Sequence, residues 1–336
     1  MFSFLLYVYP IQFLLYWTLN YTLPVIVTIG LSIIITSCLI IYFKTKNTHK
    51  SFKSLLEYGV GIGYLGCLST TLILTINIIY SMPNNINSYA LIFLTSLLTF
   101  YSKFKGCQLT IKSLQLKTTK LTKQTTFIFI SDVHLGTQSA KDLDRIITKI
   151  KHVKPAFVCI GGDLIDSSAI TIQDLKAFKQ LSMPIYFVTG NHEYYLNHSK
   201  KLLNQLNECN IQWLRNTSTS IDDITLIGIS DNQTLAQKCN KLSQFLPSKK
   251  YTIALVHKPS CYDKLAQKPN LMLSGHTHNG QIWPFNLIVK LQFPKIYGLY
   301  TNGDSCIYIS SGAGAWGTKM RLGSSNEIVR VTISPQ

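Results

Sequence analysis

Asp132-Val133-His134 follows an apolar run, Phe127–Ile130, and endings of the same kind recur downstream. Phe157–Ile160 stops at Gly161-Gly162-Asp163, with Asp166 three residues on. Ile185–Val188 stops at Gly190-Asn191-His192-Glu193, and Ile253–Val256 stops at His257. Leu271–Leu273 leads into Gly275-His276-Thr277-His278. The set Asp132, His134, Asp163, Asn191, His257, His276 and His278 combines carboxylate, amide and imidazole donors. That mixture suits Mn, Fe or Zn better than Ca. A lone Asp-x-His is a common accident. Five such motifs in one chain, holding five of its 8 histidines, form a metal constellation.

Each donor group sits at the end of a short β-branched or aromatic run, which reads as a buried strand. Helical patterns at 142–152, 175–181 and 200–207 lie between or after the first strands, so the architecture is layered α/β. Open sheets of this type place ligands beyond the carboxyl ends of their strands. Glycines beside the donors let the backbone turn and approach an ion closely.

Ahead of these elements lies a different kind of sequence. The chain has 336 residues, with 32 Lys or Arg against 15 Asp or Glu, a net charge of +17. Charged residues are 14% and apolar ones 46%, which excludes a disordered chain. Residues 1–105 contain one acid, Glu57, and long charge-free runs. Val25–Phe43 alone would span about 28 Å as a helix, close to a hydrocarbon core of roughly 30 Å. Transmembrane spans are therefore expected at about 4–21, 25–43, 58–80 and 86–102, forming an anchor over 1–105. A linker and first strand follow at 106–123, and the remaining domain covers 124–336. Four lysines fall between Lys44 and Ser54, and none in 20–24 or 81–88, so the positive-inside rule puts the following domain in the cytoplasm. The expected location is the inner membrane, multi-pass. The 8 cysteines show no metal-type spacing and agree with a reducing compartment. No basic helix with interleaved aromatics argues for nucleic acid, and the positive charge fits a lipid surface or a phosphate-bearing substrate.

The series Asp-x-His, Gly-Asp-x-x-Asp, Gly-Asn-His-Glu, His and Gly-His-x-His resembles the calcineurin-like metallophosphoesterase superfamily. The strings TGNHEYY (189–195), SGHTHNGQIWP (274–284) and SSGAGAWG (310–317) look like its bacterial membrane-associated branch. The resemblance implies a four-layer αββα sandwich preceded by the all-α membrane region. It implies two divalent ions: Asp132, His134 and His278 on one, Asn191, His257 and His276 on the other, and Asp163 bridging. A hydroxide held between the ions would attack phosphorus in line. By the same resemblance His192 protonates the leaving oxygen and Asp166 orients His192; the residue-level alternative for Asp166 is a helix cap. Protein phosphatases of the superfamily carry an Arg after the second motif, where this chain has Ser167 and Ser168. That departure favours a phosphodiester, including lipid or lipid-linked phosphate. Arg321 is either a phosphate contact or an ordinary surface or salt-bridged residue. The segment 281–300 is either a packed crossover or an apolar lip at the site mouth. Two other functions stay open at this level: the same chemistry on a cyclic nucleotide or nucleic-acid end, and a non-catalytic transport or scaffold protein.

Overall fold

The computed structural model describes residues 8–19, 26–27, 30, 33, 50–196 and 199–336. The chain divides into two units, Met1–Lys105 with Gly317–Met320, and Gly106–Trp316 with Arg321–Gln336.

In the first unit, α1 (Tyr9–Leu19), α2 (Lys50–Ile79) and α3 (Asn84–Cys107) are described. Trp17, Ile73 and Leu91 pack together from these three helices. Asn77 Nδ2 donates to Asn87 Oδ1 (2.9 Å), tying α2 to α3. Among the described residues one helical stretch, Glu57–Ile79, is long and apolar enough to cross a membrane. The expected 58–80 span coincides with it. The first expected span contributes an 11-residue helix, and the fourth lies in α3, whose end carries Lys103 and Lys105. The second expected span, 25–43, lies almost wholly outside the described residues, as do the 20–24 turn and most of the 44–54 loop.

The second unit is built from two mixed sheets of six strands. The first sheet has the order β1-β12-β2-β3-β4-β5, formed by Leu109–Thr118, Asn326–Pro335, Thr125–Ile130, Val158–Ile160, Ile185–Phe187 and Ile211–Trp213. The second has the order β10-β11-β9-β8-β7-β6, formed by Gly298–Asn302, Ser305–Ile309, Leu271–Ser274, Tyr251–Val256, Ile224–Ile229 and Thr217–Ile221. Within them β2-β3-β4-β5 and β7-β8-β9-β11 run parallel. Antiparallel partners flank each parallel block: β12 beside β2, β6 beside β7 and β10 beside β11.

Period-two side-chain alternation assembles the layers. On β2, Ile128 and Ile130 join the Leu143, Ile146, Ile147 and Ile150 face of α4 (Ala140–Val153). The alternate residues Phe127 and Phe129 enter a central core with Leu226, Ile253 and Leu255 of the second sheet. On β8, Ala254 and Val256 face outward onto Leu242 of α5 (Leu235–Ser243) and onto Tyr262. Helical layer, sheet, sheet and helical layer thus follow one another. Both helices start at capping boxes, Ser139 with Asp142 and Thr234 with Gln237, which satisfy orphan N–H donors of the first turn.

The expected helices over 175–181 and 200–207 take tighter forms. The first is a 3₁₀ stretch, Ile172–Gln180, and the second is Ser199–Asn204 followed by a 3₁₀ turn, Leu206–Cys209.

Candidate metal centre

Every candidate donor lies just beyond the carboxyl end of a parallel strand. Asp132 and His134 follow β2, Asp163 follows β3, and Asn191 and His192 follow β4; His257 follows β8, while His276 and His278 follow β9. The backbone there is unusual. Asp132 (φ 52°), His134 (54°), Asp163 (51°), His276 (71°) and His278 (50°) all adopt the left-handed conformation. For residues other than Gly that costs on the order of 1–3 kcal/mol each and persists only where surroundings over-determine it. The surroundings do so here: Asp132 N donates to Gly162 O (3.0 Å), His134 N to Asp163 O (3.0 Å) and Gly275 N to His257 O (2.9 Å). Gly190 and Gly275 permit the close approach. A Cβ at Gly190 would run into the Asp163 carboxylate, and one at Gly275 into that of Asp132.

The donors converge in overlapping groups. Within the first, Asp132, His134 and His278, and within the second, Asp163, His257 and His276, the donor atoms all lie within 4.8 Å of one another. His134 Nε2 is 3.1 Å from His278 Nε2, and His278 Nε2 is 3.5 Å from Asp132 Oδ1. His257 Nε2 lies 3.1 Å from Asp163 Oδ2. The other nitrogen of His257, Nδ1, is 2.8 Å from Gly161 O. A carbonyl only accepts, so Nδ1 carries a proton and Nε2 is the ring atom left facing Asp163; a carbonyl on the far nitrogen is the arrangement that orients metal-binding histidines. The amide oxygen of Asn191 is buried and makes no hydrogen bond. A buried acceptor left without a partner is a donor atom that a cation would use.

Electrostatics separate the groups. Burial holds His134 down at about 3 and His276 at about 2, and it keeps His278 well below its usual range. These three rings are neutral and offer lone pairs. Burial opposes charge on Asp163 too, yet His257 beside it keeps the carboxyl far below the usual range. His257 is pushed up to about 10 by Asp163 in spite of its burial. Burial, offset in part by His257, raises Asp132 to about 6. Imidazoles and carboxylates so buried match a site designed around a compensating positive ion.

His192 stands beside the donors rather than behind them. Its backbone N donates to Asp163 Oδ1 (2.8 Å), and its ring meets His134 edge-on at 4.7 Å. Tyr195 and Trp316 flank it at 5.5 and 5.9 Å. Its ring also falls within donor distance of His134 and Asp163.

Asp166 has partners beyond those expected, and the reading of Arg321 as a phosphate contact needs correction. Asp166, expected to orient His192, accepts from Thr137 N (2.9 Å) and Thr137 Oγ1 (2.6 Å) and lies 3.6 Å from His134 Nδ1. This places Asp166 in support of His134. Arg321 is fully buried, not exposed to substrate. Its guanidinium donates to the carbonyls of His278 (2.8 Å), Ser311 (2.7 Å) and Gly314 (2.6 Å) and to Asn326 Oδ1 (2.8 Å). Its donors are spent on the loops behind the centre.

Glu193 went unassigned in the sequence. It is fully buried and accepts four backbone N–H groups: Gly190 (2.7 Å), Asp163 (3.1 Å), Leu164 (2.7 Å) and Ile165 (3.1 Å). Burial and the nearby Asp163 charge push it up to about 8 while those hydrogen bonds pull it down. Four donors on one carboxyl group favour the ionised form. Glu193 clamps the loop of Asp163 to that of Asn191, and its one sequence signal was an acid two residues from a donor in an acid-poor chain.

The chain is similar to known metallophosphoesterases. Residues 125–280 match the calcineurin-like phosphoesterase family. An uncharacterised metallophosphoesterase of Helicobacter pylori is 34% identical over 241 residues, covering 67% of this chain and 64% of the relative. The chain thus spans about two thirds of that relative's length. A transmembrane protein with metallophosphoesterase domain from Bos taurus is 33% identical over 231 residues, 61% of this chain and 52% of that one. A metallophosphoesterase of Aquifex aeolicus is 29% identical over 256 residues, 72% of this chain and 98% of that one.

Proposed function

Residues 125–280 belong to the calcineurin-like metallophosphoesterase superfamily, and from that premise we propose that the chain is a membrane-anchored phosphoester hydrolase with two divalent ions in its centre. The observation that carries the proposal is the pair of three-donor groups, Asp132/His134/His278 and Asp163/His257/His276, with the unpartnered Asn191 amide beside them. Asp132, His134 and His278 would hold one ion, and Asn191, His257 and His276 the other, with Asp163 between. Bound there, Mn, Fe or Zn would supply Lewis-acid activation of water and neutralise phosphoryl charge.

The chain's own residues supply the rest. His192, flanked by Tyr195 and Trp316, is the proton donor to the leaving oxygen. Asp166 steadies His134, Glu193 clamps two donor loops, and Arg321 fixes the carbonyl of His278. With Ser167 and Ser168 after Asp166, a phosphodiester is favoured, and the anchor favours one carried on a lipid. The anchor comprises about four spans and leaves the hydrolase domain on the cytoplasmic face of the inner membrane. The helix Glu57–Ile79 and the transmembrane name of the Bos taurus relative support an anchor.

The test uses the full purified chain with added Mn against phosphomonoesters, phosphodiesters and phospholipids, beside an Asp163→Ala control. Diester hydrolysis that the control lacks is the expected result. Metal-loaded protein that hydrolyses none of them overturns the proposal.

A further inference from the structure

The segment that follows the His276/His278 loop is fixed at both ends and leaves most of its apolar side chains exposed between. At its start Trp283 N donates to Leu322 O (2.8 Å). At its end Phe293 is buried against the ring of His276 at 5.2 Å, and Ile296 O accepts from Thr277 Oγ1 (2.6 Å). Between them runs α6 (Phe285–Gln292), an eight-residue helix with no buried side chain. Trp283, Phe285, Leu287, Ile288 and Leu291 are 46–87% exposed. The helix has one charged residue, Lys290, and no acid.

Exposed apolar residues in such a cluster mark an interaction surface. Two observations say what covers it. Only Gln108 separates α3 from β1 in sequence, so the strands follow directly on a chain segment that carries the Glu57–Ile79 membrane candidate. The composition of the 283–291 stretch, with Trp283 ahead of α6 and Phe285, Leu287, Ile288 and Leu291 on it against the lone Lys290, suits a segment lying in a membrane interface. We propose that α6 docks into the lipid bilayer that holds the chain's own anchor. Docking would bring the His276 loop, to which Phe293 is fixed, down to the depth of lipid headgroups. This rests on the reading of the chain as a membrane-anchored hydrolase and adds the surface that presents a lipid phosphoester to it.

The full chain is reconstituted in phosphatidylcholine–phosphatidylglycerol vesicles whose acyl chains carry bromine, and its tryptophan emission is compared with that of Trp283→Phe. The wild type should show a bromine-quenched component that Trp283→Phe lacks. A Trp283 component quenched by aqueous iodide instead, or shielded from both agents by protein, overturns the docking. The joint replacement Leu287→Ser, Ile288→Ser and Leu291→Ser touches exposed positions only. It should lower hydrolysis of a phospholipid by at least about tenfold and leave a water-soluble nitrophenyl diester within about twofold. Equal loss on both esters, or none on either, overturns the role of α6 in presenting lipid. Inactivity of the wild type on both esters with the bromine result intact overturns the hydrolase reading alone, so the two failures are distinguishable.

Discussion

His192 and the metal donors sit within a few ångströms of one another but have separable duties. His192→Ala should keep its ions, measured by elemental analysis, and lose about 10²–10⁴-fold in rate on esters with alkoxide leaving groups. The loss should be small for nitrophenol, which departs without a proton. An equal loss on both, or loss of ions, would show that the ring binds metal instead. Asp163→Ala and His276→Ala should abolish hydrolysis and lower metal content together; near wild-type activity with one ion or none would refute a two-ion centre. The donors were legible in sequence because each directly follows an apolar run, so local order alone puts it at a strand end. Arg321 was not. Its partners at 278, 311, 314 and 326 come together only in the folded chain, and nothing near KMRLG shows that the guanidinium faces inward. The closeness of Asp166 to His134, from the preceding strand end, was hidden for a related reason: its sequence neighbourhood shows only two serines.

At the scale of elements, the strand ends hold the donors because their loops are clamped, and Glu193 is the clamp most open to test. Glu193→Ala would orphan four buried N–H groups, and at about 1–3 kcal/mol for an unsatisfied group the total loss should be at least about 3 kcal/mol. Denaturant unfolding of the metal-free chain measures it. A change under about 1 kcal/mol would mean that water replaces the carboxylate at little cost. Buried strands such as β2, β3 and β8 were visible as unbroken apolar runs. The hairpin β6–β7 and the strand β10 were not, because β6 (TSTSI) and β10 (GLYTN) lie at sheet edges and carry polar or exposed residues. The 3₁₀ stretch at 172–180 shares apolar spacing with an α-helix over so short a length, so pattern could not separate the two.

For the whole molecule, the donor set draws on both sheets: Asp132, His134, Asp163 and Asn191 from the first, and His257, His276 and His278 from the second. Ions there would staple the sandwich across its open edge. Chelation should therefore lower the melting temperature; an ion at a thousandfold its Kd contributes about 4 kcal/mol. An unchanged melting temperature on metal removal would place the ions off the sheet interface. The proposed orientation has its own check: a reporter fused after Gln336 should be active only on the cytoplasmic side, and external activity would reverse the topology. The network behind the centre has a mechanical side. Asn326 Nδ2 donates to Gly106 O (2.7 Å), its Oδ1 accepts from Arg321 Nε, and Arg321 grips the carbonyl of His278. Two side chains thus link the peptide at Gly106 to a candidate donor, so the place of the His278 loop is set partly by a peptide more than 170 residues away in sequence.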